Sequence, residues 1–524
     1  MKKMLSLALA LILVLASLCS VAVADDKPTI SVLAVLDART TELDQLLNFQ
    51  RAEEETGVHV EWEFITSTVW AEQKSMILAE GNLPDVVIGS RALTTSDVAN
   101  NIEYFLPLED IIPEYAPHIV DMWNEYPATL IANTFPDGHV YTIGHVMPIR
   151  PATEAAYYIN QDWLDNLGLS NPTTVDELTN VLKEFRDKDA NGNGDPNDEI
   201  PLIFRGFIGN LISTGTNTKL SADALRGFFQ ADHCLQYEVT VNEEGKVQYM
   251  PVTENFKAWV EYCNMLYSEG LINKDLGTID GGLYNSLLAN AEIPVVGMMS
   301  GWTKAGLGKW ADRYTEVVIK EGPFGKAYVA ANEAYLACSA SGGWSVAEIS
   351  KTCKNPEAAL RWLDYFYEDM HGLEAYFGAF GPCLQQNDDG TITIIDCPPE
   401  TDQNTWVWTN GMGDTGLGYC SKETQAKVIW NAWVGEKAAA DAKYADNVRD
   451  ESYIYPPVTF DRDTNTTIEE IETDMKTFIR EKVAHWISDG GVEEEWGDYL
   501  DQLNKMGLER YLDIYQTKLN EIRK

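Results

Sequence analysis

The stretch from Thr29 to Gly89 alternates between strand and helix twice over, and this alternation restricts the fold more than any other feature. TISVLAVLD, residues 29–37, is rich in β-branched and aliphatic side chains and ends on a polar turn, as a buried strand does. TTELDQLLNFQRAEEETG follows, with Leu43, Leu46, Leu47 and Phe49 at helical spacing, and stops at Gly57, a residue suited to a left-handed C-cap. VHVEWEF predicts a second strand, WAEQKSMILAEG a second helix and LPDVVIG a third strand. A βαβαβ order needs crossover connections, so the chain is expected to build a parallel sheet with helices on its faces.

The alternation resumes after Pro151. AAYYINQDWLDNLGL reads as a strand and a short helix. TTVDELTNVLKEFRDKD begins with Thr174 and Glu177 at capping-box spacing and runs as an amphipathic helix into the acidic loop DKDANGNGDPNDEIPL, beyond which IPLIF is a strand. FKAWVEYCNMLYSEGLI predicts a helix, and EIPVVGMMSGW a buried strand leading to an aromatic turn. Later, PEAALRWLDYFYEDM and IEEIETDMKTFIREKVAHWISDG are helical, and QQNDDGTITIIDCPP suggests a surface hairpin. A chain of 524 residues exceeds what one core organises, so two α/β lobes are expected, each a mostly parallel sheet flanked by helices. The expected division puts 25–150 in the first lobe and 151–295 in the second. Residues 296–375 would return to the first, and 376–524 would add mainly to the second with C-terminal helices.

The first 24 residues are of a different kind. Lys2 and Lys3 precede an unbroken apolar stretch from Met4 to about Val23, and Ala22 and Ala24 flank an expected cleavage site after Ala24. A lipid anchor at Cys19 is the competing reading, disfavoured because Leu18 is bulky where such sites take a small residue. An extracytoplasmic location follows, secreted or held at the cell surface. The formal net charge of −42 argues against nucleic acid and anionic lipid as partners. With Cys19 in the leader, seven cysteines remain of the 8, with no CxxC pair, so neither a zinc ribbon nor a disulfide scaffold is indicated.

No GxSxG elbow, HExxH helix, P-loop or strand-borne GxGxxG is present, and the 7 histidines are scattered. A glycosidase carboxylate pair could still lie among the 81 acidic residues, which keeps a secreted glycan hydrolase as an alternative. Among the 15 tryptophans, Trp259 and Trp362 share helical spacing with other apolar residues and are expected in cores. Trp70, Trp302 and Trp344 instead stand in or beside Gly/Ser/Thr-rich turns (TSTVW, SGWTKAG, SGGWS), where indole faces suit the apolar faces of sugar rings. Arg91 is added because it follows the strand LPDVVIG, where open α/β sheets place ligand contacts, with Tyr158 as a further candidate. In the acidic loop, oxygen-bearing side chains at alternate positions are what a hard cation such as calcium takes, although Asn, Asp and Gly also make ordinary turns.

Several motifs taken in order carry a family resemblance: ETGVHVEWEF, LAEGNLPDVVIG, FLPLEDIIPEYAP, DGHVYTIG, YYINQDWLDNLGL, PTTVDEL and the acidic loop. Weaker matches continue to about Pro382. The chain resembles family 1 of the extracellular solute-binding proteins of bacterial ABC transporters, especially the large Gram-positive members and those that bind alginate oligosaccharides. The resemblance implies two lobes hinged over a ligand, most often a mono- or oligosaccharide, and delivery to a membrane permease without catalysis. A monomer is expected, and a binder of another solute such as a peptide is the nearest alternative. It also implies a structural calcium ion in the loop: Asp189, Asn191 and Asn193 match the first ligands, and Asp195 falls where a backbone carbonyl serves. Asp198 and Glu199 follow one residue later than in the family pattern, and a frame starting at Asp187 stays open.

Overall fold

The computed structural model describes residues 27–89, 92–149, 151–153, 155–207, 220–232, 238–289, 292–329, 345–413 and 416–523. Residues 1–26, which include the expected leader and Cys19, lie outside the described residues, as do Arg91 and Trp344. Among the described residues no helix is long and apolar enough to cross a membrane.

Two principal sheets organise the chain. In the first, β1 (Thr29–Leu36) is central and pairs in parallel with β2 (His59–Thr66) on one side and β3 (Val86–Ile88) on the other. The strand Ala347–Ile349 returns antiparallel to β3, and β4 (Thr142–Ile143) closes the far edge. Ile30, Val32, Ala34, Val86 and Ile88 are buried against the helices Leu47–Thr56 and Pro356–Tyr365, and Trp362 of the latter lies wholly in this core. The strands read as aliphatic runs because helices cover both faces.

The second sheet is mixed. β5 (Ala156–Asn160) is antiparallel to Tyr314–Glu316 and to Val296–Gly301, and β6 (Ile200–Ile203) is parallel to Val296–Gly301. The return to the first sheet expected at residue 296 is therefore displaced: Val296–Gly301 and Tyr314–Glu316 belong to the second sheet, and the return comes at Ala347. Pairing partners, which local pattern does not encode, decide this. Helices Glu254–Ser268 and Arg462–Asp489 bury Trp259, Cys263, Met475, Ile479 and Trp486 in one core with this sheet.

The expected surface hairpin is instead part of a third, small sheet. Leu384–Gln386 pairs with Ile392–Ile394, which gains Val428–Ile429 as a parallel neighbour, so Ile392 and Ile394 are buried. Among the described cysteines, Cys263, Cys353, Cys383 and Cys397 are free thiols, and Cys234 and Cys338 lie outside the described residues.

Candidate functional site

The strand registers locate the cleft. Ile88, Ala347 and Ile143 lie side by side at one end of the first sheet, and Ala156 pairs with Gly301 at one end of the second. The connection from Ile143 to Ala156 joins these two ends directly, so the carboxyl ends of β1, β3 and Val296–Gly301 face a common space. Open α/β sheets bind ligands at such ends.

Trp302 is the residue that leaves the second sheet at this point. It is half-buried, and its ring lies 4.6 Å from that of Trp433, centroid to centroid, at 43°. Trp433 is in the first turn of the helix Ala432–Tyr444, which Asn431 caps by accepting a hydrogen bond from the Val434 amide. Trp430 joins the same apolar cluster together with Ile149, on the connection between the lobes. One helical turn beyond Trp433, Glu436 accepts a hydrogen bond of 2.8 Å from the backbone N–H of Lys304 and remains partly exposed. Past the end of β1, Arg39 is held by Asp37 at 2.8 Å and lies 4.8 Å over the ring of Trp408. Two half-buried indoles beside a carboxylate suit a ligand with apolar ring faces and hydroxyl edges.

Two expected platform residues are elsewhere. Trp70 is 1% exposed, within the helix Ser67–Glu80 rather than in a turn, and its Nε1 donates to the Ala92 carbonyl oxygen at 2.6 Å. It packs with Leu33, Val35, Leu78 and Val87, so its faces are spent on the core of the first lobe. Tyr158 is fully buried in β5, and its hydroxyl has no hydrogen-bond partner among the described residues. Burial, and then the Glu436 carboxylate, push its hydroxyl far above the usual phenol range. Trp302 alone among the described aromatic candidates offers part of its ring to the cleft end.

The acidic loop closes on itself. Both oxygens of Asp189 accept backbone N–H groups, from Asn193 at 3.0 Å and Gly194 at 2.8 Å. Asn191 Oδ1 accepts the Asn193 N–H and Asn193 Oδ1 the Asp195 N–H, at 3.0 and 2.7 Å. The side-chain amides of Asn191 and Asn193 donate to the two Asp198 oxygens at 2.9 and 2.6 Å. Glu199 Oε1 accepts the Ala190 N–H at 2.9 Å, while its Oε2 is buried with no partner among the described residues, and burial raises its pKa. Gly192 and Gly194 supply the positive φ values, 75° and 94°, that fold the loop this tightly. Among the described residues no group of three His, Cys, Asp or Glu is gathered around a cation position. Asn side chains and a backbone carbonyl supply half of the donor set in this loop. The set is all oxygen and includes one orphaned buried carboxylate oxygen, and turning the two amides would replace their N–H groups at Asp198 with oxygens. By donor type, the residues fit calcium.

Comparison with known proteins decides the lineage. The model for bacterial extracellular solute-binding proteins matches residues 38–371. The chain belongs to this family. Among curated relatives of this solute-binding protein, the fructooligosaccharide ABC transporter substrate-binding protein FusA of Streptococcus pneumoniae serotype 4 is 29% identical over 495 residues, covering 90% of this chain and 86% of FusA. A FusA structure in complex with kestose superposes with a TM-score of 0.79 at 25% identity, over 94% of this chain and 99% of that one. Another FusA structure is described as an EF-hand mutant in complex with fructo-nystose, with a TM-score of 0.79 at 24% identity over 94% and 99% of the two chains. The HMO binding ABC-transporter associated solute-binding protein of Bifidobacterium longum infantis superposes at 0.82 with 24% identity, over 95% and 99% of the two chains. Alginate-binding protein AlgQ2, solved without calcium ion, superposes at 0.71 with 20% identity over 96% and 99%.

Five residues that this solute-binding protein brings to the cleft end are absent from the sequence-based set: Trp433, Trp430, Glu436 and the Arg39–Asp37 pair. VIWNAWVGE carried the signal for the first three, two tryptophans three apart around an Asn suited to an N-cap. Arg39 follows β1 just as Arg91 follows β3, so the rule that selected Arg91 also selects Arg39.

Proposed function

We propose that this solute-binding protein captures an oligosaccharide between its lobes, closes over it by rotation about the connecting segments, and delivers it to the membrane subunits of an ABC importer. The observation that carries the reading is the Trp302–Trp433 wall with Glu436 beside it, at the carboxyl end of Val296–Gly301 and next to the inter-lobe connection. Full-length likeness to FusA supports a carbohydrate over a peptide, and the family supports capture over catalysis. Indole faces take the apolar faces of pyranose or furanose rings, and Glu436 and Arg39 take hydroxyls. Trp302 keeps its proposed role, joined by Trp433, Glu436 and Arg39; Arg91 and Trp344 remain proposals from sequence. We assign Trp70 and Tyr158 supporting roles behind the walls.

The acidic loop is proposed to hold one structural calcium ion through Asp189, Asn191, Asn193, Asp198 and Glu199, with the Asp195 carbonyl as a further ligand. The EF-hand of FusA supports this reading. When bound, the ion supplies no chemistry; it neutralises clustered carboxylates between the helix Val175–Asp187 and β6. The protein is proposed to act as an extracytoplasmic monomer with its leader cleaved after Ala24. A thermal-shift screen against a glycan panel that includes kestose tests the ligand class. Stabilisation by at least one oligosaccharide, without its hydrolysis, is the expected result.

A further inference from the structure

The helix Ala432–Tyr444 presents Trp433 to the cleft, and two more residues of the same stripe, Lys437 and Asp441, follow at successive four-residue steps. These two do not face solvent. Lys437 is 1% exposed, and its Nζ donates to Asp441 Oδ1 at 2.7 Å and to Thr153 Oγ1 at 2.8 Å. Asp441 in turn accepts the Thr153 hydroxyl at 2.6 Å and the Ala152 backbone N–H at 2.8 Å. Ala152 and Thr153 belong to the connection between the lobes. The helix itself is fastened to the second sheet, because the Tyr444 hydroxyl donates to the Val317 carbonyl at 2.7 Å and accepts the Tyr157 N–H at 3.0 Å. The earlier part of the connection is fastened elsewhere: the Val146 N–H donates to Gly418 O at 3.0 Å, and Cys420 donates back to Val146 O at 3.2 Å.

We infer that the buried Lys437–Asp441 pair is a positioning device that locks Trp433 and the Ala152–Thr153 end of the connection into one body with the second lobe. Within this connection, lobe rotation is then confined to the stretch between Val146 and Ala152 and carries the Trp302–Trp433 wall without distorting it. A buried ion pair is a poor means of stabilising a fold, since apolar residues of similar volume often replace one at no cost. It does impose a direction and a register, because each of its hydrogen bonds has a single partner geometry. Here three such bonds converge on two residues of the connection, and a fourth joins the pair itself. The inference rests on the proposed closure over a ligand only for its consequence, not for the lock itself.

The test replaces the pair by apolar residues, Lys437→Met with Asp441→Leu, and separately removes only the shared hydroxyl with Thr153→Val. Tryptophans are labelled with 5-fluorotryptophan, and the resonances of Trp433 and Trp362 are assigned by Trp→Phe substitution. In ligand-free protein, the expected result is a Trp433 resonance that shifts and broadens in both variants while that of Trp362, in the first lobe, is unchanged. Melting temperature should stay close to the parent's. In a second arm, kestose is titrated; if it binds the parent, affinity should fall at least tenfold in the double variant. An unchanged Trp433 resonance in folded Thr153→Val protein overturns the lock, whatever kestose does. A parent that ignores kestose leaves the fluorine arm intact and counts against that sugar alone.

Discussion

Trp302 and Trp433 come from segments far apart in the chain, yet their rings stand 4.6 Å apart at the mouth of the second sheet. Neither is fully buried, so each retains some exposed indole surface. A ligand ring stacked there displaces water from apolar carbon on both sides. Trp302→Ala and Trp433→Ala are each expected to weaken oligosaccharide binding about tenfold or more, roughly 1.4 kcal/mol. Isothermal titration with a glycan that stabilises the parent measures this. Unchanged affinity in both variants would move the site away from this wall.

Trp70 is expected to behave in the opposite way. Its ring fills the first lobe's core and its N–H satisfies the Ala92 carbonyl. Trp70→Ala should cost about 3–5 kcal/mol of stability through the cavity it leaves. Trp70→Phe, which keeps most of the volume but loses the hydrogen bond, should melt lower than the parent yet bind ligand with near-parental affinity. Strong loss of affinity in a well-folded Trp70→Phe protein would restore Trp70 to the ligand site.

This contrast marks how far the sequence could be read. The strands of the first lobe were legible because sheets covered on both faces give continuous aliphatic runs, as in TISVLAVLD. Trp259 and Trp362 were legible as core because helical periodicity records which face is buried. Trp70 was not: TSTVW resembles a turn, and only Ile77 and Leu78 extend its stripe along the helix. The lobe boundary near residue 296 was equally hidden, because Val296–Gly301 is a good strand for either sheet until its partners are known. Pairing of distant residues, which also makes the Trp302–Trp433 contact, leaves no periodic trace.

Glu348 gives a pH dependence. It lies on the strand Ala347–Ile349 within the first sheet, where Ser345 Oγ donates to one carboxylate oxygen and the other is buried without a partner among the described residues. Burial pushes its pKa up to about 8 from an ordinary 4.5. A raised carboxylate pKa means that the folded state keeps a proton the unfolded chain has released. Stability should therefore fall as pH rises from about 4.5 toward about 8, across the window set by those two values. Glu348→Gln, neutral at every pH, should flatten this part of the profile and raise the melting temperature most at pH 8. Parallel melting curves for parent and variant from pH 5 to 8 would contradict the assignment.

Calcium removal is expected to act on stability before affinity. In the absence of an ion, the carboxylates of Asp189, Asp198 and Glu199 share one short loop held by backbone and amide N–H groups. Chelation should lower the melting temperature and leave oligosaccharide affinity within a fewfold, since the loop follows the helix Val175–Asp187 away from the Trp302 wall. Calorimetry on chelator-stripped protein should detect one calcium per chain. No heat of binding at millimolar calcium would assign the loop to an Asn/Gly turn stabilised by hydrogen bonds alone.

Capture by closure makes one demand that neither a hydrolase nor a rigid lectin meets in full. Small-angle scattering, recorded while a stabilising oligosaccharide is titrated and the sugar is recovered for chromatography, tests it most directly. The account predicts a radius of gyration that falls and saturates at one sugar per chain, stabilisation of about 2.7 kcal/mol at a hundred times the dissociation constant, and sugar returned intact. Saturable binding with an unchanged scattering curve, or recovery of shortened sugar, would contradict it.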